Sequence, residues 1–226
     1  MGIDAALGRI QQILTLQQQL FDPAATTTQG TAPGAAGTAA ATGTGGGTFA
    51  NALASAQAST TGGAPLNASG YVNPLANASV TPERIDQGVD YSGSGTLGAI
   101  GPGVVTQVVQ TGSGWEGGGY VEYKLTAGPY AGKSVYYAEG VTPTVTVGET
   151  LAPGQAVATI IPGAPHGIEL GFASGNGDQT SYATANGGGY SEGALTAAGV
   201  AFSNLVSSLG GPAGLTQGRA VTGSFQ

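Results

Sequence analysis

Gly119-Tyr120-Val121-Glu122-Tyr123-Lys124-Leu125 is the run that decides the fold. Val121, Tyr123 and Leu125 fall on one side of an extended chain and Glu122 and Lys124 on the other, the period of two expected of a half-buried strand. Three glycines, Gly117 to Gly119, precede it and supply turn chemistry. Working outward, short β-rich runs recur at 88–92, 98–100, 104–110, 134–138, 157–161 and 167–172. Gly101-Pro102-Gly103 and Ala152-Pro153-Gly154 punctuate them as turns. Several antiparallel strands at this spacing predict a mainly β domain over 71–175, with a sandwich or barrel-like core.

The flanks read differently. Ile3, Leu7, Ile10, Leu14 and Phe21, with Gln17 in the stripe, recur every three or four residues, and Ile13, Leu16 and Leu20 widen it, so 1–22 is expected to be a helix. It either packs back on its own domain or serves as a docking or self-association helix. The second reading is favoured because the adjoining segment cannot tether it firmly. Residues 23–70 are dominated by Ala, Thr, Gly, Ser and Pro, and up to Gly47 nothing aliphatic is larger than alanine. Such a segment buries too little surface to offset chain entropy and reads as a flexible linker, with a weak helix at 49–57. Beyond 175, a glycine-rich loop leads to a helix at 196–209 carrying Ala197, Val200, Ala201, Leu205 and Leu209 on one side. Gly210-Gly211-Pro212 stops it, and the tail from Ala213 reads as loose.

Composition narrows the function. With 12 acidic and 5 basic residues the net charge is −7, and Arg9, Arg84, Lys124, Lys133 and Arg219 are scattered. That argues against nucleic acid and anionic membranes, which demand clustered cations. Without cysteine there is neither disulfide nor thiolate chemistry. No run approaches the roughly 20 apolar residues of a membrane span, so no membrane insertion is expected. The first residues lack a basic region followed by an apolar run, so no Sec signal is read there.

Three short acidic motifs punctuate the β region: Asp86-Gln87-Gly88-Val89-Asp90-Tyr91, Tyr137-Ala138-Glu139, and His166-Gly167-Ile168-Glu169-Leu170-Gly171-Phe172. Between them stand Gly95-Thr96-Leu97-Gly98-Ala99-Ile100-Gly101-Pro102-Gly103-Val104-Val105 and Val145-Thr146-Val147-Gly148-Glu149-Thr150-Leu151-Ala152-Pro153-Gly154-Gln155-Ala156-Val157-Ala158. In this order, over about 83–173, the chain resembles the lysostaphin-type zinc endopeptidases of bacterial cell walls. That family carries His-x-Gly-x-Asp, then Tyr-x-His, then His-x-His-Phe-Glu. The resemblance implies that Asp86 stands where the first zinc ligand would be, Asp90 where the second is, and Glu139 where an assisting imidazole would be. The third motif aligns in two ways. If strand alternation holds, Ile168, Leu170 and Phe172 face the core and Glu169 takes the last ligand position, with Gly167 in the place of a histidine and His166 one residue outside. If His166 is matched to the first histidine of the motif, Ile168 replaces the ligand.

Either register removes the nitrogen donors. Zinc hydrolysis depends on a site that lowers the pKa of bound water to about 7. Asp86, Asp90 and Glu169 are hard anionic donors that suit Ca²⁺, Mg²⁺ or Mn²⁺ better than zinc. The expectation is therefore no catalytic residues and no obligatory cofactor, with Asp86, Asp90 and Glu169 as candidate metal ligands. The same acids, with Glu139 and His166, are expected to line a binding groove. Trp115, in a glycine loop, is a candidate for stacking on a ligand or for anchoring its loop, and Tyr120 and Tyr137 are further recognition candidates. Ser94, Ser113 and Ser134 have no His–Asp partners, so a serine hydrolase is unsupported.

The resemblance thus implies a pseudoenzyme of the cell envelope that binds peptidoglycan or another protein of a surface assembly. The alternative is a metal-dependent peptidoglycan endopeptidase with an unusual carboxylate-rich site. The segments 1–9 and 48–54 loosely resemble the leaders of wall-remodelling proteins encoded with flagella and of some phage-borne factors. An extracytoplasmic or assembly-associated location, reached without a Sec signal, is the matching expectation.

Overall fold

The computed structural model describes residues 69–186 and 193–226, all within one unit of the chain, Gly45–Gln226. The expected N-terminal helix, nearly all of the linker with its weak helix, and residues 187–192 of the glycine-rich loop lie outside the described residues. The fold is mainly β: β1 (Asn77–Ile85), β2 (Val89–Gly98), β3 (Gly103–Val109), β4 (Gly119–Leu125), β5 (Ser134–Glu139), β6 (Val141–Pro143), β7 (Thr150–Leu151), β8 (Ala156–Ile160) and β9 (Ile168–Ala173). A 3₁₀ turn spans Trp115–Gly117, and two helices follow the strands, α1 (Tyr182–Ala185) and α2 (Ala197–Ser208).

All nine strands belong to one antiparallel sheet, curled into a half-barrel, in the order β6-β8-β2-β9-β5-β4-β3-β7 with β1 added on β2. A single curled sheet replaces the two stacked sheets of a sandwich. β2 is the hub: Val89–Tyr91 pair with β9, Gly95–Gly98 with β8, and β1 runs along its length. The sequence splits this strand in two because Ser92-Gly93-Ser94-Gly95 looks like a turn. Instead, β1 crosses so closely that a Cβ at Gly93 would meet the Ser79 carbonyl oxygen at 2.2 Å. Only glycine fits there.

Alternation places Val121, Tyr123, Val135, Tyr137, Ile168, Leu170 and Phe172 on one face of the sheet, in the main core. Phe202, Leu205 and Val206 of α2 join that core, with the Phe172 and Phe202 rings edge to face at 5.3 Å. α2 is capped by Thr196, whose Oγ1 accepts from the Gly199 amide, and it ends before Gly210, a left-handed glycine (φ 82°).

The tail is not loose. Leu215 exchanges main-chain hydrogen bonds with Glu83 and Ile85 at 2.7 and 3.1 Å. Arg219 donates to the Ile85 carbonyl at 2.7 Å, and Phe225 stacks on Phe172 at 4.5 Å. The tail thereby extends the sheet margin beside β1. Among the described residues no helix is long and apolar enough to cross a membrane.

Candidate functional site

The opposite face of β4, β5 and β9 is shielded from solvent over most of its length and carries polar side chains among alanines. Tyr120, Glu122, Tyr136 and Glu169 point there, and all are 3% exposed or less. The β-register puts Asp90 of β2 directly across from Glu169 of β9. The turn between β1 and β2 then brings Asp86 alongside. It is held by an Asp86 amide bond to the Gly88 carbonyl (3.1 Å), by the Gln87 amide donating to Asp86 Oδ1 (2.6 Å), and by Thr196 Oγ1 donating to the Asp86 carbonyl (2.6 Å). Glycine at 88 is enforced by close approach: a Cβ would lie 2.4 Å from the Leu170 carbonyl oxygen and 2.6 Å from the Tyr136 hydroxyl. Gln87 ties the turn down from the other side, its Oε1 accepting from Ser181 Oγ (2.5 Å) and Thr184 Oγ1 (2.7 Å) around α1.

The result is a triad of buried carboxylates, Asp86, Asp90 and Glu169, with one oxygen of each lying within 4.8 Å of the others. Arg84 is the cation that meets them. Its Nε lies 3.0 Å from Asp86 Oδ2 and 2.7 Å from Asp90 Oδ2, and its side chain is 43% exposed at the cleft mouth. Tyr136 donates to Glu169 Oε1 at 2.7 Å. One cation among three buried acids leaves surplus charge, and protonation relieves it. Burial first, and then the neighbouring Asp86 charge, push Asp90 up to about 7 despite the opposing pull of Arg84. Burial, Asp86 and Asp90 raise Glu169 well above the ordinary carboxylate range, with the Tyr136 hydroxyl partly offsetting them. Glu169 therefore holds its proton to higher pH than an ordinary carboxylate does.

The triad forms one end of a cleft of about 440 Å³, whose lining also includes Glu83, Gln87, Trp115, Glu139 and His166. Glu139 closes β5 with a left-handed backbone (φ 69°), which breaks the strand alternation it would otherwise share with Tyr137. Half-buried Trp115 forms an aromatic wall, 5.3 Å from the Tyr136 ring, and Tyr120 stacks behind Tyr136 at 5.9 Å. His166 is exposed in the loop before β9 and stands outside the triad.

The structure thus gathers Asp86, Asp90, Glu139, Glu169, His166 and Trp115 about one cleft, and along β9 the side chains alternate, Ile168, Leu170 and Phe172 to the core and Glu169 to the cleft. Two expectations need correction. Tyr137 lies on the core face, donating to the Gly98 carbonyl at 2.7 Å and sharing a hydrogen bond with Tyr123 at 2.9 Å. Tyr120 is fully buried and donates to Glu122 Oε2 at 3.2 Å. Neither can meet a ligand directly. Tyr136 is the tyrosine on the cleft side, and the one-residue parity of β5 is the signal for it. Arg84 is a cleft residue that the motifs do not point to. It precedes Asp86 by two positions, but it sits at a register shift between Pro82 and Ile85, where strand counting gives no facing.

The donor set does not fit zinc, since it supplies three carboxylates and no nitrogen. It resembles an oxygen site for a hard cation, except that a guanidinium already bridges two of its members. Comparison with protein-family models and with curated proteins gave no match for this chain.

Proposed function

We infer that this chain is a non-catalytic domain of the lysostaphin type, using its acidic cleft to bind peptidoglycan or a protein partner at the bacterial cell envelope. One observation carries the reading. The Arg84 guanidinium bridges Asp86 and Asp90 at 3.0 and 2.7 Å, the two positions that the resemblance assigns to the first two metal ligands. The cation that the carboxylates call for is supplied from within the chain, and it is one that cannot polarise a water molecule as a Lewis acid. No imidazole stands within the triad to shuttle a proton.

Binding remains well served. A largely polar cleft with one aromatic wall suits a ligand that offers amide or ammonium donors to Glu83, Glu139 and Asp86 and lays a sugar or peptide plane on Trp115. The linker would let residues 1–22 engage a second partner, as in a flagellar or phage assembly. Co-sedimentation of the full chain with purified peptidoglycan tests the reading. Retention on the wall without release of soluble fragments is expected, and chelator-sensitive clearing of a turbid wall suspension would refute it.

A second reading, a metal-dependent endopeptidase, draws on the 4.8 Å carboxylate cluster. It requires Arg84 to leave and a hard cation to enter. Clearing that depends on added Ca²⁺ or Mn²⁺ would favour it.

A further inference from the structure

The geometry points to a second binding site, for a carboxylate-bearing ligand, at the other end of the same sheet face. Among the described residues the basic side chains are Arg84, Lys124, Lys133 and Arg219. Arg84 is bound to the acidic triad, and Arg219 donates to main-chain carbonyls of Ile85, Gly193, Leu215 and Thr216. The two lysines both line one cavity of about 270 Å³, with Ser134, Ser174 and the Tyr182 ring. In a chain of net charge −7, two lysines line one small cavity, beside the hydrogen-bonded carboxylates of Glu122 and Asp178.

Register explains the convergence. Lys124 of β4 pairs with Ser134 of β5, and Ser134 pairs with Ala173 of β9, so the three side chains share the face that carries Glu169 four residues earlier on β9. At about 3.3 Å per residue, the cavity lies roughly 13 Å along β9 from the triad. Lys133 enters from the β4–β5 turn. Its Nζ donates to the main-chain oxygen of Gln226 and sits 4.8 Å above the Tyr182 ring, which fixes the ammonium at the cavity edge.

The adjoining carboxylates are already engaged. Glu122 accepts from Thr106 Oγ1 at 3.1 Å and from Tyr120, and Asp178 accepts from Ser174 Oγ at 2.8 Å and from the Thr180 amide at 3.1 Å. Asp178 is held below its usual pKa by those donors, the Ser174 hydroxyl first, so it stays ionised, and the two lysines must together outweigh its charge for an anion to bind. An ammonium pair with the Ser134 hydroxyl suits a planar carboxylate, carried on a small polar body such as a sugar acid or a peptide C-terminus.

The test is an NMR titration of the ¹⁵N-labelled full chain at fixed ionic strength with sodium glucuronate and with N-acetyl-alanyl-alanine. Glucose and the peptide amide serve as the uncharged counterparts. Saturable shifts at the Ser134, Ser174 and Gly175 amides are expected with at least one carboxylate and with neither neutral compound, and the acid that saturates identifies the source. Lys124→Gln/Lys133→Gln should weaken that binding by about tenfold or more, the loss expected when charge-assisted hydrogen bonds go. Lys124→Gln, at an exposed side chain, repeats the test if the double variant changes the wider spectrum. Absence of saturable shifts, equal shifts with the neutral compounds, or lysine variants that bind as well as wild type would each overturn the assignment. The acidic cleft is not involved in this readout, so its own proposal stands or falls separately.

Discussion

The two faces of β4, β5 and β9 are both buried except at Lys124 and are built from different chemistry. One presents Val121, Tyr123, Val135, Tyr137, Ile168, Leu170 and Phe172 to the core; the other presents Tyr120, Glu122, Tyr136 and Glu169. Hydrocarbon on the first face stabilises the fold in proportion to the area removed from water. Carboxylates on the second lose hydration and recover what Tyr136 returns to Glu169 and what Thr106 and Tyr120 return to Glu122. Strand burial therefore does not by itself distinguish core from site. A buried polar face that stability does not explain is where a binding role is to be sought.

Substitutions at neighbouring positions break this comparison most sharply. Leu170→Ala opens a void in the main core and should cost about 2–5 kcal/mol in chemical denaturation. Glu169→Gln, one residue away on the other face, should cost little and become stabilising as pH rises. The direction follows from the raised folded-state pKa values. A carboxyl that holds its proton more tightly when folded contributes stability in full below its unfolded pKa and loses it as pH climbs through the folded one. For Asp90 that window runs from 3.8 to about 7; for Glu169 it opens upward from 4.5. Within the window each group changes stability by at most about 1.4 kcal/mol per pH unit. Melting curves at pH 5 and pH 8 should thus show the variant gaining on wild type at the higher pH. An unchanged gap would mean that Glu169 is ionised throughout.

Arg84→Ala sits between these extremes. It strips the counter-charge from two buried acids, and since the arginine side chain is 43% exposed the loss is smaller than for a fully buried pair, about 1–2 kcal/mol at pH 8. The cost should shrink at pH 5, where protons replace the guanidinium, and denaturation at the two pH values measures it. Trp115→Ala should also perturb folding less than Arg84→Ala. Removing one ring from the Tyr136 stack should cost about 1 kcal/mol while reducing wall retention in the sedimentation assay. Unchanged retention would take Trp115 out of recognition.

The difference between the faces also explains what is legible in the chain. Alternation through Ile168, Glu169, Leu170 and Phe172 is a local signal, and it is enough to assign Glu169 to the acids rather than the core. The same parity, applied to Tyr136 and Tyr137, selects Tyr136; following the motif instead of the strand selects its neighbour. β1 escapes because Asn77-Ala78-Ser79-Val80-Thr81-Pro82 is a polar, half-exposed edge with a proline, and such strands have no apolar period to detect. Arg84 escapes for a related reason, since the irregularity beside Pro82 resets the facing. The tail contacts rest on main-chain hydrogen bonds, the Arg219 side chain and a single phenylalanine, none of which leaves a periodic trace.

The Arg84 bridge between Asp86 and Asp90 is the feature on which the proposed binding role depends. Isothermal titration of the full chain with Zn²⁺, Ca²⁺ and Mn²⁺ near neutral pH tests it most directly, with Arg84→Ala alongside. Wild type should give no saturable heat with any of the three, and the variant should gain it with Ca²⁺ or Mn²⁺ as the carboxylates are released. Stoichiometric heat in wild type that disappears in Glu169→Gln would contradict that role for Arg84 and make the cleft a metal centre.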